Sequence, residues 1–186
     1  PYRRQRQMCI RDSMKTVYIG GEGEIVEKKS RFIATVRPVA SEEEAVAFIA
    51  EMKKKYWDAR HNCSAFVIGD RQEISRCSDD GEPAQTAGRP MLDVLLREEI
   101  HNAAVVVTRY FGGVLLGTGG LVRAYQGAVQ AGLAASTIID KKEGIHLAIG
   151  TDYTGLGKLQ YLIAQQNLTL IDTVYTCLLY TSDAAD

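Results

Sequence analysis

Ala103-Ala104-Val105-Val106-Val107-Thr108-Arg109-Tyr110-Phe111-Gly112-Gly113-Val114-Leu115-Leu116-Gly117-Thr118-Gly119-Gly120-Leu121-Val122-Arg123-Ala124-Tyr125 is the stretch whose reading decides the fold. Ala103–Thr108 is a continuous apolar, β-branched run and reads as a buried strand. A helix follows from about Gly120 to Ala135. Between them the glycines crowd together, and seven of the chain's 17 fall from Gly112 to Gly132. Glycine at that density points to left-handed backbone or to close approach of the chain to something else. A strand, a glycine loop and a helix start in succession aim backbone N–H groups at one place, which suits an anion. No Gly-Lys-Ser/Thr follows, so this is not a P-loop, and the dinucleotide-binding spacing is missing too. A tight loop packed on the sheet is the other reading, and the residues alone leave both open.

Working outward, Glu24–Glu27 and Phe32–Val36 read as an antiparallel pair around Lys28-Lys29-Ser30. Ser41-Glu42-Glu43-Glu44 is a capping box with acids at the positive helix end, and its helix runs to about Tyr56. Ala45, Phe48, Ile49 and Met52 form its apolar stripe. Lys53-Lys54-Lys55 complements the helix C-terminus rather than marking a binding patch. Cys63–Ile68 and Glu73–Cys77 flank Gly69-Asp70-Arg71 as a hairpin. Thr86–Glu99 is a further helix in which Pro90 marks a bend or a delayed start. Asp140-Lys141-Lys142-Glu143-Gly144 is a polar break and the expected linker. Beyond it, Ile145–Ile149 reads as strand, Gly155–Gln166 as helix and Leu168–Tyr175 as strand.

Composition narrows the class. With 22 Lys+Arg against 23 Asp+Glu, 46% hydrophobic and 24% charged residues, the 186-residue chain is that of an ordinary globular protein. Disordered tails, collagen-like repeats and strongly basic nucleic-acid arms are excluded. No apolar run reaches the roughly 18 residues of a membrane span. The first thirteen residues and the last ten (177–186) are unlike their neighbours and resemble translated sequencing-library adapter, which makes Met14 the expected start. Setting both aside removes Arg3, Arg4, Arg6, Arg11, Asp12, Asp183 and Asp186 and leaves the remainder nearly neutral. A nearly neutral domain meets RNA only through a local patch. Only Cys63 and Cys77 then remain, and two cysteines without a secretory signal fit a reducing cytoplasm.

Several side chains invite chemistry. Arg109 and Arg123 bracket the glycine loop, with Tyr110, Phe111 and Tyr125 beside them, and guanidinium with aromatic is the chemistry of phosphate contact and base stacking. Phe111 as a core residue and Arg109 as a partner of Asp79 or Asp80 are the structural alternatives. Asp79, Asp80 and Glu82 close at Pro83; they could hold Mg²⁺ or act as acid and base, yet Asp-Gly is turn chemistry and acids there also accept backbone N–H bonds. Arg60, His61 and Cys63 begin a strand. His61 and Cys63 share a face, but neighbours on one strand pack more often than they react, and no zinc spacing joins them to Cys77. No catalytic residue, metal site or cofactor is expected.

Arg109–Gly113, Leu116-Gly117, Gly119–Leu121 and Arg123–Tyr125 closely resemble the signature of the YigZ/IMPACT family. Lys29–Phe32, Ala59–Cys63 and Ser78–Pro83 match upstream in the family's order and spacing. The resemblance covers about Tyr18 to Tyr175. It implies an α+β protein, with a first domain (14–139) similar to domain 2 of ribosomal protein S5. It also implies a ferredoxin-like second domain similar to the last domain of elongation factor G. Eukaryotic relatives regulate translation by competing for an activator of the kinase that phosphorylates initiation factor two. They carry a different accessory domain, so that partner is not carried over.

The function expected is therefore a cytoplasmic, translation-related regulatory module that binds RNA, a ribosomal surface or a protein. Its expected binding residues are Arg60, His61, Asp79, Asp80, Glu82, Arg109, Tyr110, Gly112, Gly113, Gly117, Gly119, Gly120, Arg123 and Tyr125, of which Asp79, Asp80, Glu82, Arg109, Tyr110 and Arg123 are expected to converge around the glycine loop. The alternative is an enzyme acting on a phosphorylated or nucleotide substrate, with the loop cradling phosphate and the acids holding Mg²⁺. A ferredoxin-like domain has βαββαβ order, and residues 144–176 supply only its first half. An open slot is thus expected between Ile145–Ile149 and Leu168–Tyr175, unless Leu178–Thr181 fills it.

Overall fold

The computed structural model describes residues 13–142 and 147–175. Two compact units divide between Glu143 and Gly144. Among the described residues the first contains eight strands and three helices: β1 (Ser13–Ile19), β2 (Glu22–Glu27), β3 (Ser30–Pro38), α1 (Glu42–Lys55), β4 (His61–Ile68), β5 (Ile74–Ser78), α2 (Gly88–Arg97), β6 (Ile100–His101), β7 (Ala103–Tyr110), α3 (Thr118–Ala134) and β8 (Thr137–Lys142).

The apolar run of β7 lies at the centre of a five-stranded antiparallel sheet, order β2-β3-β7-β4-β5. Both its faces are covered, which is why it reads as a continuous rather than an alternating run. On one face Phe32, Val36, Cys63, Val105 and Val107 pack against Met91 and Leu95 of α2 and Tyr125 and Val129 of α3. On the other, Phe66, Ile68, Ala104 and Val106 meet Ala45, Phe48 and Met52 of α1. The capping box forms in part: Ser41 Oγ accepts from Glu44 N at 3.3 Å, while Glu44 reaches back to Ala40 N at 2.7 Å. Pro90 is the third residue of α2 and sits in its first turn, where no helix bond is lost.

Two strands depart from the sequence reading. β8 covers Thr137–Lys142, so Asp140, Lys141 and Lys142 are strand rather than linker, and the first unit runs past residue 139. β8 pairs antiparallel with β1, and β1 pairs parallel with the two-residue β6, giving a second sheet of order β6-β1-β8. Pairing across the whole length of the unit, not local pattern, makes these polar residues a strand.

The second unit holds α4 (Tyr153–Gln165), capped by Asp152, whose side chain accepts from Gly155 N at 2.7 Å. The expected strand Leu168–Tyr175 is irregular, as are Leu147–Ile149, so no slot between two strands exists among the described residues. β-branched residues form a strand only where a neighbour takes their backbone groups. Ile145 and the tail segment Leu178–Thr181 lie outside the described residues.

Candidate functional site

Antiparallel register sets one end of the five-stranded sheet. Arg31 opposes Tyr110, Phe32 opposes Arg109, and His61 opposes Arg109 on the other side. Opposed residues share a face, so Arg109, Phe32 and His61 point toward α2 and α3, while Tyr110 and Arg31 point toward the α1 side.

On the inner face a polar cluster is sealed. Arg109 Nη1 stands 2.6 Å from Glu82 Oε1, with the two side chains 9% and 3% exposed. The Tyr125 hydroxyl donates to the same oxygen at 2.9 Å, and the Cys63 thiol donates to the Tyr125 oxygen at 3.3 Å. Burial pushes the Cys63 thiol up to about 12 and raises the Tyr125 phenol as well. Phe32 meets the Tyr125 ring edge-on at 5.2 Å. The Arg109 guanidinium lies 5.5 Å from the Phe32 centroid and 5.6 Å from that of Phe111. Its Nε has no hydrogen-bond partner.

The three acids diverge. Asp79 accepts from Ala87 N (3.0 Å) and Gly88 N (2.7 Å) through Oδ1, and from Gln85 N (2.9 Å) through Oδ2. It thereby supplies the N-terminal cap that Ala87 cannot give α2. Asp80 Oδ1 takes the Lys53 ammonium at 2.5 Å and Oδ2 the Asn62 N–H at 2.8 Å. Burial works to raise the Asp80 carboxyl, but these two partners outweigh it and hold it below its ordinary value. Glu82 serves Arg109 and Tyr125. Among the described residues no three His, Cys, Asp or Glu side chains converge as a metal cluster.

The glycine loop runs outward. Gly112 passes so close to the β2–β3 turn that a Cβ would strike the Lys29 carbonyl group, and its N–H donates to Ser30 Oγ at 3.1 Å. Gly117, at φ +72°, begins α3, whose first turn has no side-chain cap. At Gly113, Gly117 and Gly119 a Cβ would meet nothing within 4 Å, whereas at Gly120 it would crowd Leu116.

The fourteen expected residues are thus brought together only in part. Glu82, Arg109 and Tyr125 form the sealed cluster. His61 lies beside it, its Nδ1 3.0 Å from the Asp80 carbonyl oxygen. Tyr110 faces the other side of the sheet, its hydroxyl donating to Asp58 at 3.0 Å. Arg60 and Arg123 are exposed. Phe111, read as a core alternative, is 55% exposed, and Arg109 pairs with Glu82 rather than with Asp79 or Asp80. Sequence reasoning missed Trp57, 83% exposed beside Asp58, and the outward Leu115. A lone Trp at a helix end carries no periodic signal to mark it. At the opposite end of the same sheet lies an open cleft of about 650 Å³, between Thr16, Ile68, Asn102 and Lys141.

Fold and site together define a mixed α/β domain with its glycine-rich loop at the end of a central strand. Residues 28–133 match the model of the Impact N-terminal domain, a span that takes in every candidate residue from Arg60 to Tyr125. The chain is 45% identical over 161 residues to the IMPACT family member YvyE of Bacillus subtilis (strain 168), covering 87% of this chain and 74% of that one. It is 40% identical over 151 residues to the IMPACT family member YigZ of Escherichia coli (strain K12), covering 80% and 74%. A crystal structure described as that of a hypothetical protein matches with a TM-score of 0.67 and 36% identity, over 89% of this chain and 81% of that one. The chain belongs to the IMPACT family.

Proposed function

We propose that the chain is a non-catalytic, cytoplasmic binding module in the regulation of translation. Its first unit is read as S5 domain 2-like, and 144–176 as part of a ferredoxin-like domain whose strands the described residues do not form. The working face is the glycine-loop end of the five-stranded sheet, and its partner is an RNA, a ribosomal surface or a translation-related protein. Family membership and the translation role of eukaryotic relatives support this reading.

One observation carries it. Every acid that catalysis would need is spent on structure: Asp79 caps α2, Asp80 holds Lys53 and Asn62, and Glu82 neutralises Arg109. What remains turned outward at that end are cations, aromatic rings and open glycine backbone. Among the described residues Asp79, Asp80 and Glu82 offer neither a free base nor a shared carboxylate pair for Mg²⁺, and a surface of this kind binds. The rival, an enzyme on a phosphorylated substrate, has only the uncapped start of α3 in its favour.

Co-sedimentation with purified ribosomal particles, run beside a thermal-shift screen of nucleotides with Mg²⁺, separates the two. Salt-sensitive co-sedimentation with no nucleotide stabilisation is the expected result. Nucleotide stabilisation accompanied by turnover would replace this reading with the enzyme.

A further inference from the structure

We propose that the partner at this face is single-stranded RNA, held by phosphate contacts from Lys28, Lys29, Arg60 and Arg123 and by bases stacked on Trp57 and Phe111. The proposal rests on the binding-module reading and names its ligand.

The first observation is the β2–β3 turn. Glu27 pairs with Ser30, so Lys28 and Lys29 are the two residues of a tight hairpin turn, at φ 45° and 68°. Both are left-handed, the conformation in which such a turn favours Asn-Gly and in which a long side chain is strained. Strain of this kind persists where the surrounding structure fixes it, here the Glu27–Ser30 pairing, and it clusters at ligand-binding sites. The turn sets two adjacent ammonium groups at the tip of a hairpin.

The second is how surfaces join. Gly112, having no side chain, lets the loop lie directly on Lys29, which sets Phe111 beside the basic turn. The Tyr110–Asp58 hydrogen bond ties the Trp57–Arg60 segment to the same strand end. α3 passes along β2: a Cβ on Gly127 would stand 3.4 Å from Ile25 Cδ1, so Arg123, one turn nearer the helix start, lies toward Lys28 and Lys29. Lys28, Lys29, Arg60 and Arg123 form no ion pair among the described residues, unlike Arg31, which Glu24 holds in a two-pronged pair. The acids nearby are Glu27, Asp58, engaged by Tyr110, Glu24, held by Arg31, and Glu22, which meets Lys55 and Tyr56.

The third is chemical. Exposed rings set among unpaired cations suit a ligand that alternates flat aromatic groups with negative charge. A protein interface of this kind would be depleted of Lys at its centre. Stacking on isolated rings needs unpaired bases, which selects single strands over duplex.

Trp57 is the only tryptophan of the chain, so its fluorescence reports on the face itself. The test titrates the full chain with a short mixed-sequence oligoribonucleotide, single-stranded and then as duplex. Saturable quenching by the single strand that weakens with salt is expected. The variant K28N/K29G gives the turn the residues its backbone favours and should melt no lower than wild type. It should nevertheless bind roughly tenfold more weakly, with the slope of log K against log salt reduced by about 1.4 for two lost contacts. Arg123→Ala should weaken binding and lower the slope further, and K141E, in β8 beside the cleft at the opposite end of the five-stranded sheet, should change neither. Absence of quenching, or full binding by K28N/K29G, would overturn the proposal. If ribosomal co-sedimentation survives that outcome, the RNA assignment fails while the binding-module reading stands.

Discussion

Glu82 Oε1 receives two donors in a space closed to water: Arg109 Nη1 at 2.6 Å from the central strand and the Tyr125 hydroxyl at 2.9 Å from α3. One carboxylate oxygen thus joins the 79–87 loop, the sheet and a helix. Removing it leaves a buried guanidinium without its counter-charge, and that cost, rather than the worth of the pair itself, dominates.

Glu82→Ala should therefore destabilise the first unit by roughly 3 kcal/mol or more. Replacing both partners, as in E82L/R109M, should recover much of that loss, because no orphaned charge remains. Urea melts of the two variants check this. A single variant costing less than about 1 kcal/mol would mean that water reaches the pair.

Asp79→Ala should cost about 1–2 kcal/mol, since α2 begins at Ala87 without a cap of its own. The loss should appear as early melting and as faster amide exchange at Gln85, Ala87 and Gly88, the three donors it serves. Mg²⁺ should not alter the melting of wild type. A Mg²⁺-dependent rise that D79A abolishes would assign this carboxylate to a metal instead.

Much of this was legible in the residues. The alternation of β2, the β-branched residues of β3, the Ser41 cap and the unbroken apolar run of β7 are local signals, and the structure follows them. β1 and β8 were not legible, because Asp140-Lys141-Lys142 becomes strand only by meeting residues 13–15 across the length of the unit. Leu168–Tyr175 shows the converse: β-branched composition without a paired neighbour yields no strand. At the candidate site, residue types pointed to one end of the sheet but not to the partners each side chain takes there. Three acids within four positions look equivalent in sequence. Only register decides that Glu82 reaches Arg109 while Asp79 turns to α2 and Asp80 to Lys53. Trp57 acquires meaning only from its place beside Asp58, which the Tyr110 hydroxyl ties to the strand end.

Asp80 sets a pH dependence. Its carboxyl is held below the ordinary 3.8 because the Lys53 and Asn62 contacts outweigh burial. A depressed folded value means that the contribution is complete above the unfolded value and disappears as pH falls through the folded one. The stability difference between wild type and Asp80→Asn should be constant above about pH 5 and should shrink below pH 4. Urea melts across that range measure it. A difference that grows on acidification would contradict the assignment.

Cys63 should be inert. Its thiol, pushed up to about 12 by burial, holds almost no thiolate at neutral pH. Alkylation followed by peptide mapping should find Cys63 modified only as fast as the unit unfolds, and the exposed Cys77 modified sooner. Rapid labelling of Cys63 in the folded chain would show that the Cys63–Tyr125–Glu82 cluster opens to solvent.

Hydrogen–deuterium exchange of the full chain, with and without the single-stranded oligoribonucleotide, tests the binding face most directly. Slowed exchange should be confined to the Lys28–Lys29 turn, to residues 57–60 and to the loop from Phe111 to Gly120, and should fade as salt is added. Protection centred instead on the cleft of Thr16, Ile68, Asn102 and Lys141, or spread evenly without a footprint, would contradict it.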